Sequence, residues 1–246
     1  MWRTARSWRN RGWNGTVSPK WPETLRLWQA DLDDAGWDRH AAVLHPEEEA
    51  RAQRYRTPRL AQHYRRGRSM LRLLLARQSG GDPARIALRY GWAGKPEADG
   101  LSCHFNLSHS GRQALIALAP YPVGVDIEST AHANISMTEL AGLVCHPDEQ
   151  AALAALAPLQ REDFLYRLWV QKEAYCKALG TGLQAHLRAL SFAPTADAAL
   201  AVVHDAARPA TDVHYVRYWR AAGGCAAAVC LPSPLEPPMV TQLVPD

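Results

Sequence analysis

The chain has 246 residues, of which 47% are hydrophobic and 21% are charged, so it can bury a core as one large domain or two small ones and is not a disordered polymer. No apolar run of about 18 residues occurs, and no apolar segment follows the basic first residues, so we expect neither a membrane span nor a secretory signal. Five cysteines without C-x-x-C spacing disfavour a zinc site or a disulfide framework and favour free thiols in a reducing cytoplasm.

Charge is distributed unevenly along the sequence. Residues 1–90 contain 18 basic and 9 acidic residues, a net charge of +9, whereas residues 91–246 contain 10 and 15, a net charge of −5. We expect the first part to attract anions and the second to hold cations or basic groups. Nucleic acid, a membrane surface or a small polyphosphate ligand would each suit the basic part.

The first elements predicted along the chain are a strand and two helical stretches. Alternation over 25–32 predicts the strand. Pro46 and the three glutamates after it are typical of a first helical turn, because acidic side chains stabilise the positive end of the helix dipole. A long helix rich in arginine is predicted over 59–78, where a Gly-Gly pair ends it. A short strand at 86–90 follows.

Strands dominate the middle of the sequence and helices precede strands in the last part. After a turn at 91–96, the segment FNLSHS (105–110) predicts a strand that runs into a loop. Segments 114–120 and 123–128 are interpreted as two strands paired through a proline turn. Helices are then predicted over 136–144, 147–157 and 161–179, strands over 188–193, 212–220 and 224–231, and an irregular proline-rich tail beyond them.

Both parts of the chain thus order a helix before antiparallel strands, which predicts a duplicated α+β fold. The predicted division is a flexible basic extension at 1–20, an N-terminal α+β half at 21–130, a C-terminal α+β half at 131–232 and a proline-rich tail at 233–246.

Asp126 and Glu128 are two positions apart on a predicted strand, so both carboxylates point to one face while Val125 and Ile127 point to the core. Two like charges on one face repel unless a cation lies between them, and oxygen ligands of this kind favour Mg²⁺. By itself, the pair is equally explained by a solvated strand face.

The predicted helix over 161–179 places Trp169, Glu173 and Lys177 on one face, because they are spaced by four residues. Glu173 is a candidate metal ligand or general base, and Lys177 is a candidate partner of developing phosphate charge. An ordinary surface ion pair would explain the same spacing.

Two polar segments precede the acidic strand. Ser108 and His109 in FNLSHS are candidates for phosphate binding, and Lys95 stands in the tight turn Gly-Lys-Pro. A hydrogen-bonded turn and a plain surface turn are the simpler explanations of these segments. No G-x-S-x-G elbow occurs, which disfavours a serine hydrolase.

The segments GKP, FNLSHS, GVDIE and W-x-x-K-E-A-x-x-K-x-L-G occur in this order. As a set they resemble the 4′-phosphopantetheinyl transferases, in particular the monomeric type that activates peptide synthetase and polyketide carrier proteins in secondary metabolism. The resemblance covers residues from about 25 to 231. It implies two similar halves related by a pseudo-twofold axis, each a long helix packed on a small antiparallel sheet, with the active site and coenzyme A in the cleft between them.

The resemblance also implies roles for particular residues. Asp126, Glu128 and Glu173 match the magnesium ligands, and Glu173 is ligand, base or both. Lys177 matches the lysine beside the pyrophosphate. The remaining matches are contacts to coenzyme A phosphates, at Lys95, Ser108, His109 and Arg51. Arg51 corresponds to a basic residue for the 3′-phosphate, whereas Glu48 stands where other members carry lysine, so the cluster Arg65–Arg68 is a candidate for the missing charge.

The implied reaction is transfer of 4′-phosphopantetheine from coenzyme A to a serine of an apo carrier protein of a peptide, polyketide or fatty-acid synthase. Adenosine 3′,5′-bisphosphate leaves, and Mg²⁺ is required. We expect a cytoplasmic monomer with no nucleic-acid or membrane partner.

Two alternatives stay open. A Mg²⁺-dependent nuclease or phosphodiesterase would also combine acidic ligands with basic surface, although Thr130 stands where a D…E-x-K site would have lysine. A non-catalytic protein that binds carrier proteins or coenzyme A would look similar but would lose a ligand.

Overall fold

The computed structural model of the protein describes residues 24–130, 136–182, 187–194, 199–234 and 239–245, so the predicted extension at 1–20 lies outside the described residues. The helices are α1 (Pro46–Ala52), α2 (Pro58–Ser79), α3 (Met137–Val144), α4 (Pro147–Ala155) and α5 (Pro158–Leu179). The strands are β1 (Arg26–Asp31), β2 (Leu88–Tyr90), β3 (Pro96–Ala98), β4 (His104–Ser110), β5 (Gln113–Ala119), β6 (Gly124–Glu128), β7 (Leu190–Pro194), β8 (Leu200–Asp205), β9 (Tyr215–Arg220), β10 (Ala226–Leu231) and β11 (Val240–Leu243). This mixture confirms the α+β class.

The two long helices, α2 and α5, have 22 residues each and start and stop on the same signals. Proline occupies the first turn of both, where its missing N–H leaves no hydrogen bond unmade. Gly80 and Gly180 end them with φ of 68° and 70°, a left-handed conformation that favours glycine. The predictions of both helices and of their glycine ends are confirmed.

The strands form a four-stranded sheet in the order β11-β1-β5-β4, a five-stranded sheet in the order β6-β10-β9-β8-β7, and the hairpin β2-β3. The β1–β11 pair is parallel, and the other pairs are antiparallel. None of the helices in the described ranges combines the length and apolar character that a membrane span needs.

The predicted pairing of segments 114–120 and 123–128 is wrong. Strand β5 pairs with β1 and β4, whereas β6 pairs with β10. A turn does not dictate pairing, and the chain uses the proline turn between these strands to cross from one sheet to the other. A strand from before residue 130 therefore completes the five-stranded sheet, while the division of the chain into two units at that residue stays a prediction.

The C-terminal tail was predicted to be irregular, and at Val240–Leu243 this prediction is wrong. These residues form β11, which pairs with β1 at the edge of the first sheet. Strands β3 and β8 were also missed, and β3 begins at Pro96, the last residue of the segment that was interpreted as a turn. Short edge strands carry little periodicity, so tertiary pairing defines them.

Three of the four apolar clusters among the described residues hold the sheets and the two long helices together. One lies between α2 and the first sheet, and another lies between α5 and the five-stranded sheet. The third joins the two sheets, and it includes Leu115 of β5 and Val125 of β6. Because both faces of β5 are buried, its sequence is almost continuously apolar.

Candidate active site

Strand β6 presents Asp126 and Glu128 to one side and Val125 and Ile127 to the other, as the alternation predicts. Val125 and Ile127 lie in the layer between the sheets. Asp126 is 2% exposed, and Glu128 is partly buried. The simple explanation of a solvated strand face is therefore wrong, because burial of a carboxylate requires compensation.

Helix α5 crosses β6 at very short distance because residue 124 is glycine. A Cβ atom added at Gly124 would lie 2.0 Å from the carbonyl oxygen of Ala174 and 2.3 Å from the backbone nitrogen of Ala178. Glu173 and Lys177 flank this crossing on the helix. The close approach thus places them beside the carboxylates of the strand.

A hydrogen-bonded triad joins β4, β6 and α5. The hydroxyl of Ser108 donates to Asp126 Oδ1 at 2.7 Å, and Lys177 Nζ donates to the same oxygen at 2.5 Å and to Ser108 Oγ at 3.0 Å. The surrounding carboxylates raise the pKa of Lys177 even though burial alone would lower it. Lys177 is therefore charged at neutral pH and faces the most buried of the three acids.

The other two acids are less well compensated. Glu128 Oε2 accepts from the hydroxyl of Ser110 at 2.6 Å, and burial raises the pKa of Glu128. Burial, together with the charges of Asp126 and Glu128, raises the pKa of Glu173 to about 7. Repulsion from Asp126 thus acts on both Glu128 and Glu173 in addition to burial.

Within the described part of the candidate site, two buried carboxylate oxygens have no hydrogen-bond partner, Asp126 Oδ2 and Glu173 Oε1. Such an oxygen costs free energy until a donor or a cation reaches it. Oxygen donors of this type suit Mg²⁺, so the donor set fits that ion. Among the described residues, no group of three or more His, Cys, Asp or Glu side chains already has the arrangement of a metal site. The three-ligand magnesium site stays a prediction.

Lys95 lies in the turn between β2 and β3, as predicted, but its ammonium group points to backbone oxygens. It donates to the carbonyls of Val123 at 3.1 Å and Ala178 at 2.9 Å. The second contact places a cation at the C-terminal end of α5, where the helix dipole favours it. Burial lowers the pKa of Lys95 to about 8. Its predicted contact with a phosphate stays a prediction.

A cavity of about 160 Å³ opens beside β4. Arginine, histidine and tyrosine side chains line much of it: Arg51, Arg68, His63, His109, Tyr55, Tyr64 and Tyr90. His109 is exposed within this hollow, and desolvation by the surrounding protein and the charge of Lys177 lower its pKa. The structure therefore brings Arg51 and His109 together, and Ser108 lies at the adjacent carboxylate site.

The arginine cluster of α2 is mostly paired with acids. Arg65 binds Glu49 through two hydrogen bonds of 2.8 and 2.6 Å, and Arg66 binds Asp38. Only Arg68 of this cluster lines the cavity. Arg68, which also pairs with Glu48, is therefore the member of the cluster that stays a candidate for contact with a phosphate.

Arg68 shares a buried carboxylate with a second arginine. Its Nε donates to Glu48 Oε1 at 2.8 Å, and Arg72 Nε donates to Glu48 Oε2 at 2.5 Å. Burial alone would raise the pKa of Glu48, but the charges of Arg68 and Arg72 lower it. Together, Glu48, Arg68 and Arg72 carry one net positive charge at the wall of the cavity.

Sequence reasoning missed several residues of the site. Ser110 follows Ser108 at the spacing that places both on one face of β4, so strand periodicity could have found it. His63, Tyr64 and Tyr90 carry no motif, and only the packing of α2 against the β2-β3 hairpin brings them to the cavity.

Comparison with known proteins places this site in a family. The model of the 4′-phosphopantetheinyl transferase superfamily matches residues 122–230. That segment includes the five-stranded sheet and the helices α3 to α5, and therefore the three acids and Lys177.

Curated relatives extend the match over more of the chain. A 4′-phosphopantetheinyl transferase of Bacillus subtilis is 34% identical over 63% of this chain and 68% of its own length. The 4′-phosphopantetheinyl transferase HetI of Nostoc is 33% identical over 65% and 70%. The 4′-phosphopantetheinyl transferase Sfp of Bacillus subtilis strain 168 is 28% identical over 84% and 90%. The chain therefore belongs to the 4′-phosphopantetheinyl transferase family and is a transferase of that type.

Proposed function

We propose that the chain transfers 4′-phosphopantetheine from coenzyme A to a serine of an apo carrier protein, with Mg²⁺ as cofactor. The observation that best supports this proposal is that two different sites lie next to each other along β4. A buried acidic site holds Lys177 and two unpartnered carboxylate oxygens, and a cavity lined by arginine and histidine lies next to it. A pyrophosphate ester with a further phosphate at its far end would suit both.

The metal would be held by Asp126, Glu128 and Glu173. The unpartnered oxygens of Asp126 and Glu173 support this assignment, because a cation would compensate both. When bound, Mg²⁺ would neutralise negative charge on the pyrophosphate oxygens.

The reaction requires one bond to form and one to break. The carrier serine oxygen attacks the β-phosphorus of coenzyme A, and the bond from that phosphorus to the oxygen bridging the two phosphates breaks. Adenosine 3′,5′-bisphosphate leaves with the electron pair of that bond. The serine proton passes to a base, and Glu173 is our candidate because its carboxylate lies in the site and its Oε1 has no hydrogen-bond partner.

Lys177 would stabilise the leaving phosphate as its charge develops. Its ammonium already lies between Ser108 and Asp126, and 30% of its side chain is exposed. Ser108 would orient Asp126 or contact phosphate through its hydroxyl. Lys177 and Ser108 each already have two hydrogen-bond partners within the site. The site therefore needs little reorganisation for transfer.

Arg51 and His109 would bind the 3′-phosphate in the cavity. The lining of guanidinium, imidazole and phenol groups supports this, because all can donate hydrogen bonds to phosphate oxygens. Lys95, close in sequence to cavity residues Gly94 and Pro96, would reach a phosphate only if it left its backbone acceptors.

We also propose that the fold is a duplicated one, with two halves related by a pseudo-twofold axis and the active site in the cleft between them. The equal lengths of α2 and α5 support this, as does the apolar layer shared by the two sheets. The contact of Lys177 on α5 with Ser108 on β4 supports a site where the halves meet. We propose as well that the protein is a monomer and that its acceptors are carrier proteins of peptide, polyketide or fatty-acid synthases.

The deciding experiment incubates the protein with coenzyme A, Mg²⁺ and an apo carrier protein, followed by intact mass of the carrier. We expect the carrier to gain one phosphopantetheine. The gain should disappear when EDTA is added or when the carrier serine is replaced by alanine.

Failure to modify several carriers would contradict the proposal. Release of nucleotides from DNA or RNA would instead favour a phosphodiesterase. Binding of coenzyme A without any transfer would favour a non-catalytic binding protein.

A further inference from the structure

Tyr90 closes the cavity from the β2-β3 hairpin. Its side chain lines the cavity, and the residue is 40% exposed. Its hydroxyl oxygen accepts a hydrogen bond from Arg68 Nη2 at 2.9 Å. Tyr90 is therefore fixed to the cavity wall although it comes from a small two-stranded sheet.

The ring of Tyr90 also contacts two cations. The guanidinium carbon of Arg68 lies 5.8 Å from the ring centroid, and that of Arg51 lies 5.9 Å from it. Arg51 lies 5.6 Å from the ring of Tyr64 as well. Its guanidinium thus contacts two aromatic rings that come from different elements, α2 and β2.

The two arginines differ in how their charge is compensated. Arg68 is paired with Glu48, whereas within the described part of the chain no carboxylate pairs with Arg51. A long arginine side chain without an ion pair loses rotamer entropy when a ligand fixes it. Contacts with aromatic rings reduce that loss before the ligand arrives, which is preorganisation.

We propose that Tyr90 is a positioning residue that holds the guanidinium of Arg51 at the cavity for the 3′-phosphate of coenzyme A. This inference rests on the proposed function and goes beyond it, since Tyr90 acts through Arg51 and touches no reacting atom. The aromatic ring carries the effect, and the hydrogen bond to Arg68 fixes the ring. Tyr90 therefore contributes to the preference for coenzyme A over the analogue that lacks the 3′-phosphate.

The test compares coenzyme A with 3′-dephospho-coenzyme A as donors in the carrier-protein assay. For the wild type we expect a lower KM for coenzyme A. Tyr90→Leu removes the ring and should raise the KM for coenzyme A by about 5- to 30-fold, the range that corresponds to a cation–π contact. The KM for the dephospho donor and kcat with both donors should change less than about twofold. A general loss of structure would not spare one donor.

Three further experiments distinguish loss of the Tyr90 ring from other effects. Tyr90→Phe keeps the ring and should keep most of the preference. Trp92→Leu removes a 78% exposed aromatic side chain just after β2 and should leave the ratio of the two KM values unchanged. In the Arg51→Ala background, Tyr90→Leu should have little further effect on that ratio.

The outcomes distinguish this inference from the proposed function. No transfer by the wild type from either donor would contradict the function itself. Transfer with equal KM values for both donors, or an unchanged preference in Tyr90→Leu, would overturn only the inference. An equal loss in Tyr90→Phe and Tyr90→Leu would also overturn it, because the ring would then be irrelevant.

Discussion

At the scale of single residues, the candidate site contains a buried carboxylate with one compensated and one uncompensated oxygen. Asp126 Oδ1 accepts from Ser108 and Lys177, whereas Oδ2 has no partner. Lys177 compensates the charge at Oδ1, and Oδ2 is the oxygen that a cation could reach.

We predict that Asp126→Asn lowers kcat/KM for transfer by at least about 100-fold, the order of loss that follows removal of one electrostatic contact to a transition state. The amide oxygen can still accept from Ser108 and Lys177, so the far-UV circular dichroism spectrum should not change. Asp82→Asn is the matched control, since Asp82 only caps a short 3-10 turn and asparagine can do the same. Wild-type transfer rates in Asp126→Asn would rule out the proposed metal site.

At the scale of elements, the crossing of β6 by α5 determines where the reactive side chains lie. Gly124 permits backbone contact between the two. On the first half of the chain, Glu48 of α1 fixes α1 to α2 through Arg68 and Arg72. The crossing at Gly124 positions the carboxylate site, and the ion pairs of Glu48 position the wall of the cavity.

We predict that Gly124→Ala lowers the free energy of unfolding by about 3 kcal/mol or more, since a Cβ atom would overlap the backbone of α5 and overpacking is destabilising. Transfer should also be lost, because α5 has to move away with Glu173 and Lys177. Urea unfolding measures the first effect. Gly142→Ala on α3, where a Cβ meets nothing within 4 Å, should instead stabilise the protein by about 0.5–1 kcal/mol.

The ion pairs of Glu48 predict a pH dependence of stability. The folded pKa of Glu48 is below its ordinary value of 4.5, so its contribution is fully present above that value and is lost as pH falls through the folded pKa. At pH 7, Glu48→Gln should cost about 3–5 kcal/mol, as expected when one partner of a buried ion pair is removed.

The same variant should approach the wild type in stability as pH falls through the folded pKa of Glu48, below which the carboxyl group is protonated and resembles glutamine. Urea unfolding at several pH values measures both effects. The exposed neighbour Glu47 provides the control, because Glu47→Gln should change stability by less than about 0.5 kcal/mol. A constant difference between the wild type and Glu48→Gln over the whole pH range would contradict the role of these ion pairs.

At the scale of the whole molecule, the two sheets are joined both by apolar packing and by exchange of chain segments. Strand β6 precedes helices α3 to α5 but completes the five-stranded sheet. Strand β11 comes from the C-terminal tail but pairs with β1 in the first sheet. Each sheet therefore depends on residues that are distant in sequence.

We predict that truncation after Pro234 destabilises the protein by about 1–3 kcal/mol, because it removes the β11 ladder and the partly buried side chains of Val240 and Leu243. Thermal unfolding monitored by circular dichroism measures this loss. A shorter truncation that removes only residues 245–246 keeps β11 and should have a much smaller effect. Equal melting temperatures of the full chain and the longer truncation would show that β11 contributes nothing.

Helices and strands could be predicted from the sequence where their hydrophobic pattern is long or where particular residues mark their ends. Helices α2 and α5 have clear glycine ends, and β4 and β6 carry recognisable motifs. The pairing of β5 with β1 and β4 was not predictable, because a turn of two prolines fits a hairpin as well as a crossover. Strand β11 was missed since a short edge strand beside prolines has little pattern of its own.

The candidate site likewise has features that the sequence predicts and features that only the tertiary structure shows. Alternation on β6 and four-residue spacing on α5 determine from sequence alone that Asp126 and Glu128 share a face and that Glu173 and Lys177 share another. Only the tertiary structure decided that the two faces meet, that Lys177 pairs with Asp126, and that Arg51 lies between Tyr64 and Tyr90. Local geometry depends on neighbours in the chain and can be derived from their order, whereas these contacts depend on backbone approach and burial between segments far apart in sequence.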